Sequence, residues 1–207
     1  MTPMLFGALA LAAALPCLAL AREWPVIVSA LALLFLGCSL SEAAFAGPVV
    51  GVARLIAGES VVAALLLAKL SAREGSQEAR ADRLDLRDAD EGRLSRHNSS
   101  EEVFQFMLVV LALVAAFAMS QVAPLGMESA TGAGAISFFV YWMAMSGLLV
   151  LLHSHTPLRV GAGIVLLLSA GNLLYAALGS PGIATLMAGA VLYLAVGLAV
   201  SRAEVRA

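Results

Sequence analysis

Residues 153–185 read HSHTPLRVGAGIVLLLSAGNLLYAALGSPGIAT. The stretch holds one membrane-length helix and the start of the next. Pro157 suits the first turn of a helix, where its missing N–H leaves no bond unmade, and Thr156 before it suits the cap. About 20 apolar residues are enough to cross a hydrocarbon core, and the run from Pro157 to Ala177 has that length. Arg159 sits just inside its start. Ser169 and Asn172 interrupt the apolar middle, and Gly179-Ser180-Pro181 closes the run before a new one opens.

The same reading extends over the chain. It has 207 residues, 61% of them hydrophobic and 13% charged, a far more apolar balance than soluble domains show. Nine of the 14 acids and six of the 12 Lys and Arg fall within residues 73–102. The rest is almost free of charge, the pattern of a polytopic membrane protein with one polar excursion. The net charge of -2 gives no basis for nucleic-acid binding.

The expected fold is all-α, with seven transmembrane helices at 4–21, 25–46, 48–71, 102–123, 135–153, 157–177 and 181–201. Pro25, Pro48, Pro157 and Pro181 open four of them. Ser180 stands ready to cap the last span, and Ser99-Ser100-Glu101-Glu102 has capping-box spacing ahead of the fourth. The chain then divides into three N-terminal helices over 1–72, a charged loop over 73–101 that is flexible or partly helical, and four helices over 102–207. No Lys or Arg precedes the first apolar run, so it reads as a retained helix rather than a secretory leader. With the N-terminus outside and the C-terminus inside, 11 of the 12 Lys and Arg lie on the cytoplasmic side and only Arg54 lies near the outer face, as the positive-inside rule requires. The expected location is the inner (cytoplasmic) membrane, as a multi-pass protein in contact with lipid.

Enzyme chemistry needs a cluster of nucleophile, base or metal ligands, and none is visible. His153 and His155 flank a helix end and read as interfacial. Cys17 and Cys38 lie in apolar runs and read as buried free thiols. No metal site and no cofactor is expected. Ionisable groups within spans are the functional candidates, because the membrane makes them expensive. Glu59 lies eleven residues after Pro48, about 16 Å along the axis and near mid-membrane. It is the proton-path candidate, with a structural, hydrogen-bonded glutamate as the alternative. Arg54 is about 140° around the helix from Glu59. Glu42, on the preceding span, is the better mate for Arg54, as a structural ion pair. On the last span Thr185, Gly189, Tyr193, Gly197 and Ser201 recur every four residues. Small residues at that spacing let helix backbones approach closely. Ser169 and Asn172 share a face of the sixth span, as packing contacts or as part of a polar path.

Arg159, nine apolar and small residues, a short polar cluster and GNLLYAAL at 171–178 together resemble the second helix of the K-type small subunit of respiratory complex I. The same unit occurs in the C subunit of multisubunit cation/proton antiporters and in the C-terminal half of hydrogenase-4 component E. The three spans over 135–201 match that unit in order and orientation. The segment ARLIAGESVVAALLLA at 53–68 and the overall length resemble component E. The resemblance implies a non-catalytic integral subunit of a complex I-like or group 4 hydrogenase-like ion-translocating assembly, packed against antiporter-like subunits. A stand-alone small transporter or a structural membrane scaffold are the alternatives. In that family the second helix carries a mid-membrane glutamate assigned to the proton path. Here Ser169 and Asn172 occupy the neighbourhood, so the resemblance implies a retained fold with the acid lost or its role moved to Glu59. Arg159 is the inner-end anchor.

Overall fold

The computed structural model describes residues 2–21, 23–80, 98–125, 133–154, 156–179 and 183–206. Among them are seven helices: α1 (Thr2–Leu20), α2 (Trp24–Ala46), α3 (Pro48–Arg80), α4 (Asn98–Val122), α5 (Ala133–Leu152), α6 (Pro157–Leu178) and α7 (Ile183–Arg206). Five of them, α2 to α6, are long and apolar enough to cross a membrane, while α1 and α7 contribute the shorter apolar stretches Met4–Leu20 and Met187–Ala203. The all-helical architecture suits segments this apolar. Where no water can satisfy the backbone, each segment must close its own hydrogen bonds.

Two boundaries differ from the sequence expectation. α3 continues to Arg80 instead of stopping near 71, and α4 begins at Asn98 instead of 102. The residues that prolong α3, AREGSQEAR, are rich in Ala, Glu, Gln and Arg, strong helix formers that need no apolar environment. The charged loop is therefore shorter than 73–101, and its centre, 81–97, lies outside the described residues, as does Ser180. The side chains of Ser99 to Glu102 also lie outside them. Thr156 has the extended φ/ψ of a cap, -112° and 142°, but its side chain makes no capping bond.

The helices form two layers. α1, α2 and α3 make one; α4, α5, α6 and α7 make the other. Across the layers α1 packs on α5, α2 on α6 and α3 on α7, with α1 also touching α4. Sequence punctuation repeats in step with this pairing. Pro25 and Pro157 open α2 and α6, after cap residues with extended backbones. Gly47 and Gly179 follow their last turns. Pro48 and Pro181 come next, and LIAG at 55–58 has LMAG at 186–189 as its counterpart. Two three-helix units thus lie against one another, equivalent helix on equivalent helix, with α4 linking them.

Close backbone approach holds neighbouring helices together. A Cβ at Gly7 on α1 would come 2.9 Å from the Gly37 carbonyl on α2. One at Gly51 on α3 would come 2.6 Å from the Ser39 carbonyl on α2, and one at Gly147 on α5 would come 3.0 Å from the Gly163 carbonyl on α6. Gly47 alone joins α2 to α3, with φ +99°. That is the left-handed region, where a side chain is strained.

The outer surface is apolar. On α4, Phe104, Phe106, Met107, Leu111, Val114 and Phe117 are all exposed. So large a contiguous apolar surface marks contact with a membrane or with other proteins.

Candidate functional site

Packing of four helices brings a set of polar groups together in the apolar interior, where unpaired they would be costly. α2 supplies Glu42, α3 Arg54, α6 Ser169 and Asn172, and α7 Tyr193. Glu42, Arg54, Ser169 and Tyr193 are all buried. Glu42 lies four residues before the end of α2 and Arg54 six residues into α3. Both are therefore within about 6–9 Å of the Gly47 turn along their helix axes.

Arg54 Nε stands 3.6 Å from Glu42 Oε1. That is ion-pair range but too long for a strong hydrogen bond. The guanidinium carbon lies 4.3 Å from the centroid of the Tyr193 ring and 5.9 Å from that of Phe35. An arginine on an aromatic face gains from the ring quadrupole, by roughly 2 kcal/mol when desolvated. The two rings meet edge to face, with centroids 5.5 Å apart and planes at 81°. Phe35 reaches that position because Gly58 on α3 has no side chain to exclude it.

At the other end of the ring, the Tyr193 hydroxyl serves α6. Asn172 Nδ2 donates to it at 3.1 Å, and the Ser169 and Tyr193 hydroxyls lie 3.2 Å apart. Since the phenol oxygen accepts from Asn172, its own proton is free to go to Ser169. Tyr193 therefore couples the Arg54–Glu42 pair to the Ser169–Asn172 pair, across the boundary between the two three-helix units.

A cleft opens beside this cluster, between α3, α6 and α7. Its polar lining comes from Glu42, Arg54, Asn172, Thr185 and Tyr193. No protein atom hydrogen-bonds to Glu42 Oε1, Arg54 Nε or Arg54 Nη2. Chemically the arrangement is a neutral, oppositely charged pair held at the edge of an apolar interior, with a tyrosine proton between it and a hydroxyl.

The other sequence candidates lie elsewhere. Glu59 is on the exposed face of α3, among Val52, Ile56 and Leu67, and takes no part in the cluster. Arg159 Nη2 donates to the Ala21 carbonyl at 2.6 Å, which ties the start of α6 to the α1–α2 turn. Gly189 faces α6, where an added Cβ would meet Asn172 Nδ2 at 3.4 Å; Gly197 faces α3, where it would meet Val61 Cγ1 at 3.1 Å. The small-residue stripe of α7 thus serves two neighbours, and Tyr193 stands between them.

Cys38 is buried, with its thiol 3.9 Å from the Met143 sulfur, whereas Cys17 is exposed on α1, contrary to the expectation that both are buried. His153, at the end of α5, lies beside the Phe104 ring and lines a second, shallower cleft with Gln105 and Arg159. Among the described residues no group of three or more His, Cys, Asp or Glu is placed to hold a metal ion.

The cluster as a unit is not legible in the sequence. The sequence pairs Arg54 with Glu42 and puts Tyr193 on a packing face, but no local spacing links the two. One signal was available. An arginine within an apolar span needs more than one partner for its five donors, and the polar groups at matching depth in other spans are few. Comparison with protein-family models, with curated proteins and with solved structures returned no match to this chain, so what the site does is read from its own residues.

Proposed function

We propose that this chain is a non-catalytic integral subunit of an ion-translocating membrane assembly of the complex I-like or group 4 hydrogenase-like kind, packed against larger antiporter-like subunits. In this reading all seven helices cross the membrane, with the N-terminus outside and the C-terminus on the cytoplasmic side. The observation that carries it is the position of Glu59. Its carboxyl group stands on the outside of α3, about eleven residues from the helix start and among exposed aliphatic side chains. In a lone protein that face meets lipid, where a carboxylate is disfavoured by several kcal/mol. A neighbouring subunit that offers a donor or a hydrated surface removes the penalty.

The test is purification from native membranes with mild detergent. The chain should elute with other integral membrane proteins. Glu59→Leu should leave the isolated chain folded, because no internal contact is lost, but weaken its recovery with those partners. A chain that elutes alone, with Glu59→Leu indistinguishable from the parent, would rule out the subunit reading. The buried Arg54–Glu42 pair beside an open cleft favours the second reading, a stand-alone small transporter. In that case the purified chain alone should carry ion flux in liposomes.

A further inference from the structure

The cleft between α3, α6 and α7 has room for small molecules and a fixed electrostatic character. Its cavity volume is about 40 Å³. Its mouth lies at Ala53 and Tyr175, both exposed. Behind the polar lining the interior is apolar and closed, with Phe35, Val61, Leu166 and Leu173 all fully buried.

Three atoms in this region ask for hydrogen bonds. Glu42 Oε1, Arg54 Nε and Arg54 Nη2 are buried, and beyond the 3.6 Å ion-pair contact between the first two none has a protein hydrogen-bond partner. Arg54 as a whole is only 6% exposed, and it lines the cleft. A buried donor or acceptor left unmade costs about 1–3 kcal/mol, and more when charged. The occupant of the cleft must therefore donate to a carboxylate and accept from a guanidinium. It must also be neutral. Arg54 and Glu42 already cancel, so an anion or a cation would leave one net charge in a low-dielectric surround. Finally it must be small. A water molecule needs about 10–15 Å³ and two to four polar partners, and the cleft meets both conditions for a few of them.

We propose that this cleft is a hydrated vestibule that admits water to the Arg54–Glu42 pair from the end of the bundle holding the Gly47 turn, and that stops at Tyr193. Past the phenol lies the Ser169 hydroxyl, which is fully buried, and its neighbours on α6, Leu166 and Leu173, are apolar and buried. The vestibule is thus one-ended. It brings an aqueous surface into contact with the boundary between the two three-helix units without piercing the bundle. The proposal rests on the chain spanning a membrane, and not on any partner subunit.

Cysteine accessibility tests it on the full chain in liposomes, in a Cys17→Ser, Cys38→Ala background. Thiol-reactive methanethiosulfonates that cannot enter lipid react where water reaches the sulfur, since the thiolate is the nucleophile. Single cysteines replace Ala57, Thr185 and Ala190, which line the cleft. Ile56 and Leu192, exposed at 64% and 51% on the adjoining surface, provide the lipid-facing controls. The lining positions should react at least about tenfold faster than the controls, and the sulfonate and trimethylammonium reagents should agree within about tenfold, because the site is neutral. Lining cysteines as slow as Ile56→Cys would mean a dry cleft. A larger preference for the sulfonate reagent would mean that Arg54 acts as an anion site. Either result overturns the proposal. Should Ala57→Cys fail to fold, Thr185→Cys and Ala190→Cys decide the question, since both positions are only partly buried.

Discussion

Arg54 carries the energetics of the cluster. It has one carboxylate within 3.6 Å and one aromatic face within 4.3 Å, and both come from other helices. Removing one member of a buried ion pair strands the other and typically costs about 3–5 kcal/mol, whereas replacing both with apolar groups is often close to neutral. Glu42→Leu and Arg54→Met should each lower stability by about that amount. The double variant should lose much less than the sum. Reversible unfolding of the four proteins in mixed micelles checks this. Additive losses would show that the two side chains do not depend on each other. Tyr193 sets a limit on how far the double variant recovers, because its ring loses the cation whatever happens at Glu42.

At the scale of helices, the decisive contacts are glycines. Gly197 is buried against Val61, at 3.1 Å for an added Cβ, while Gly189 borders the cleft with 3.4 Å to Asn172. Gly197→Leu should therefore lower the unfolding midpoint more than Gly189→Leu, by roughly 1–3 kcal/mol for overpacking at a closed contact. Equal and small effects would mean that α7 turns this face outward. Much of this level was legible beforehand. Apolar runs and the prolines at 25, 48 and 157 marked the helices, and the four-residue spacing of α7 marked its packing face. The glycine contacts of α1 with α2 and α5 with α6 were not legible, since single glycines such as Gly7 and Gly147 carry no spacing pattern. Glu59 shows the complementary failure. Its depth could be counted from Pro48, but its facing depended on the rotation of α3. The buried positions Arg54, Ala57, Gly58, Val61 and Leu65 fix that rotation and leave Glu59 outside it.

For the whole molecule, the pairing of equivalent helices constrains topology. Arg159 joins the α5–α6 end to the α1–α2 end, and the cleft brings the α2–α3 and α6–α7 ends together. Cysteines placed within 81–95 should react with impermeant reagents only from the cytoplasmic side of right-side-out or inverted vesicles, and a cysteine at Glu128 only from the other side. Labelling of both from one side would exclude seven crossings. The boundary between the three-helix units, where the polar cluster sits, could not have been read from sequence by spacing alone. Its members come from opposite ends of the chain, and no local period connects them.

The layered arrangement also bears on how the protein is made. Glu42 and Arg54 leave the ribosome well before Tyr193, which follows Arg54 by 139 residues. At about 5–20 residues per second, the ring that covers the arginine is synthesised roughly 7–30 s after the arginine itself. During that interval the arginine has the glutamate and the Phe35 ring, both supplied by α2. The single-residue link at Gly47 keeps them within reach, so the early hairpin carries its own neutralisation.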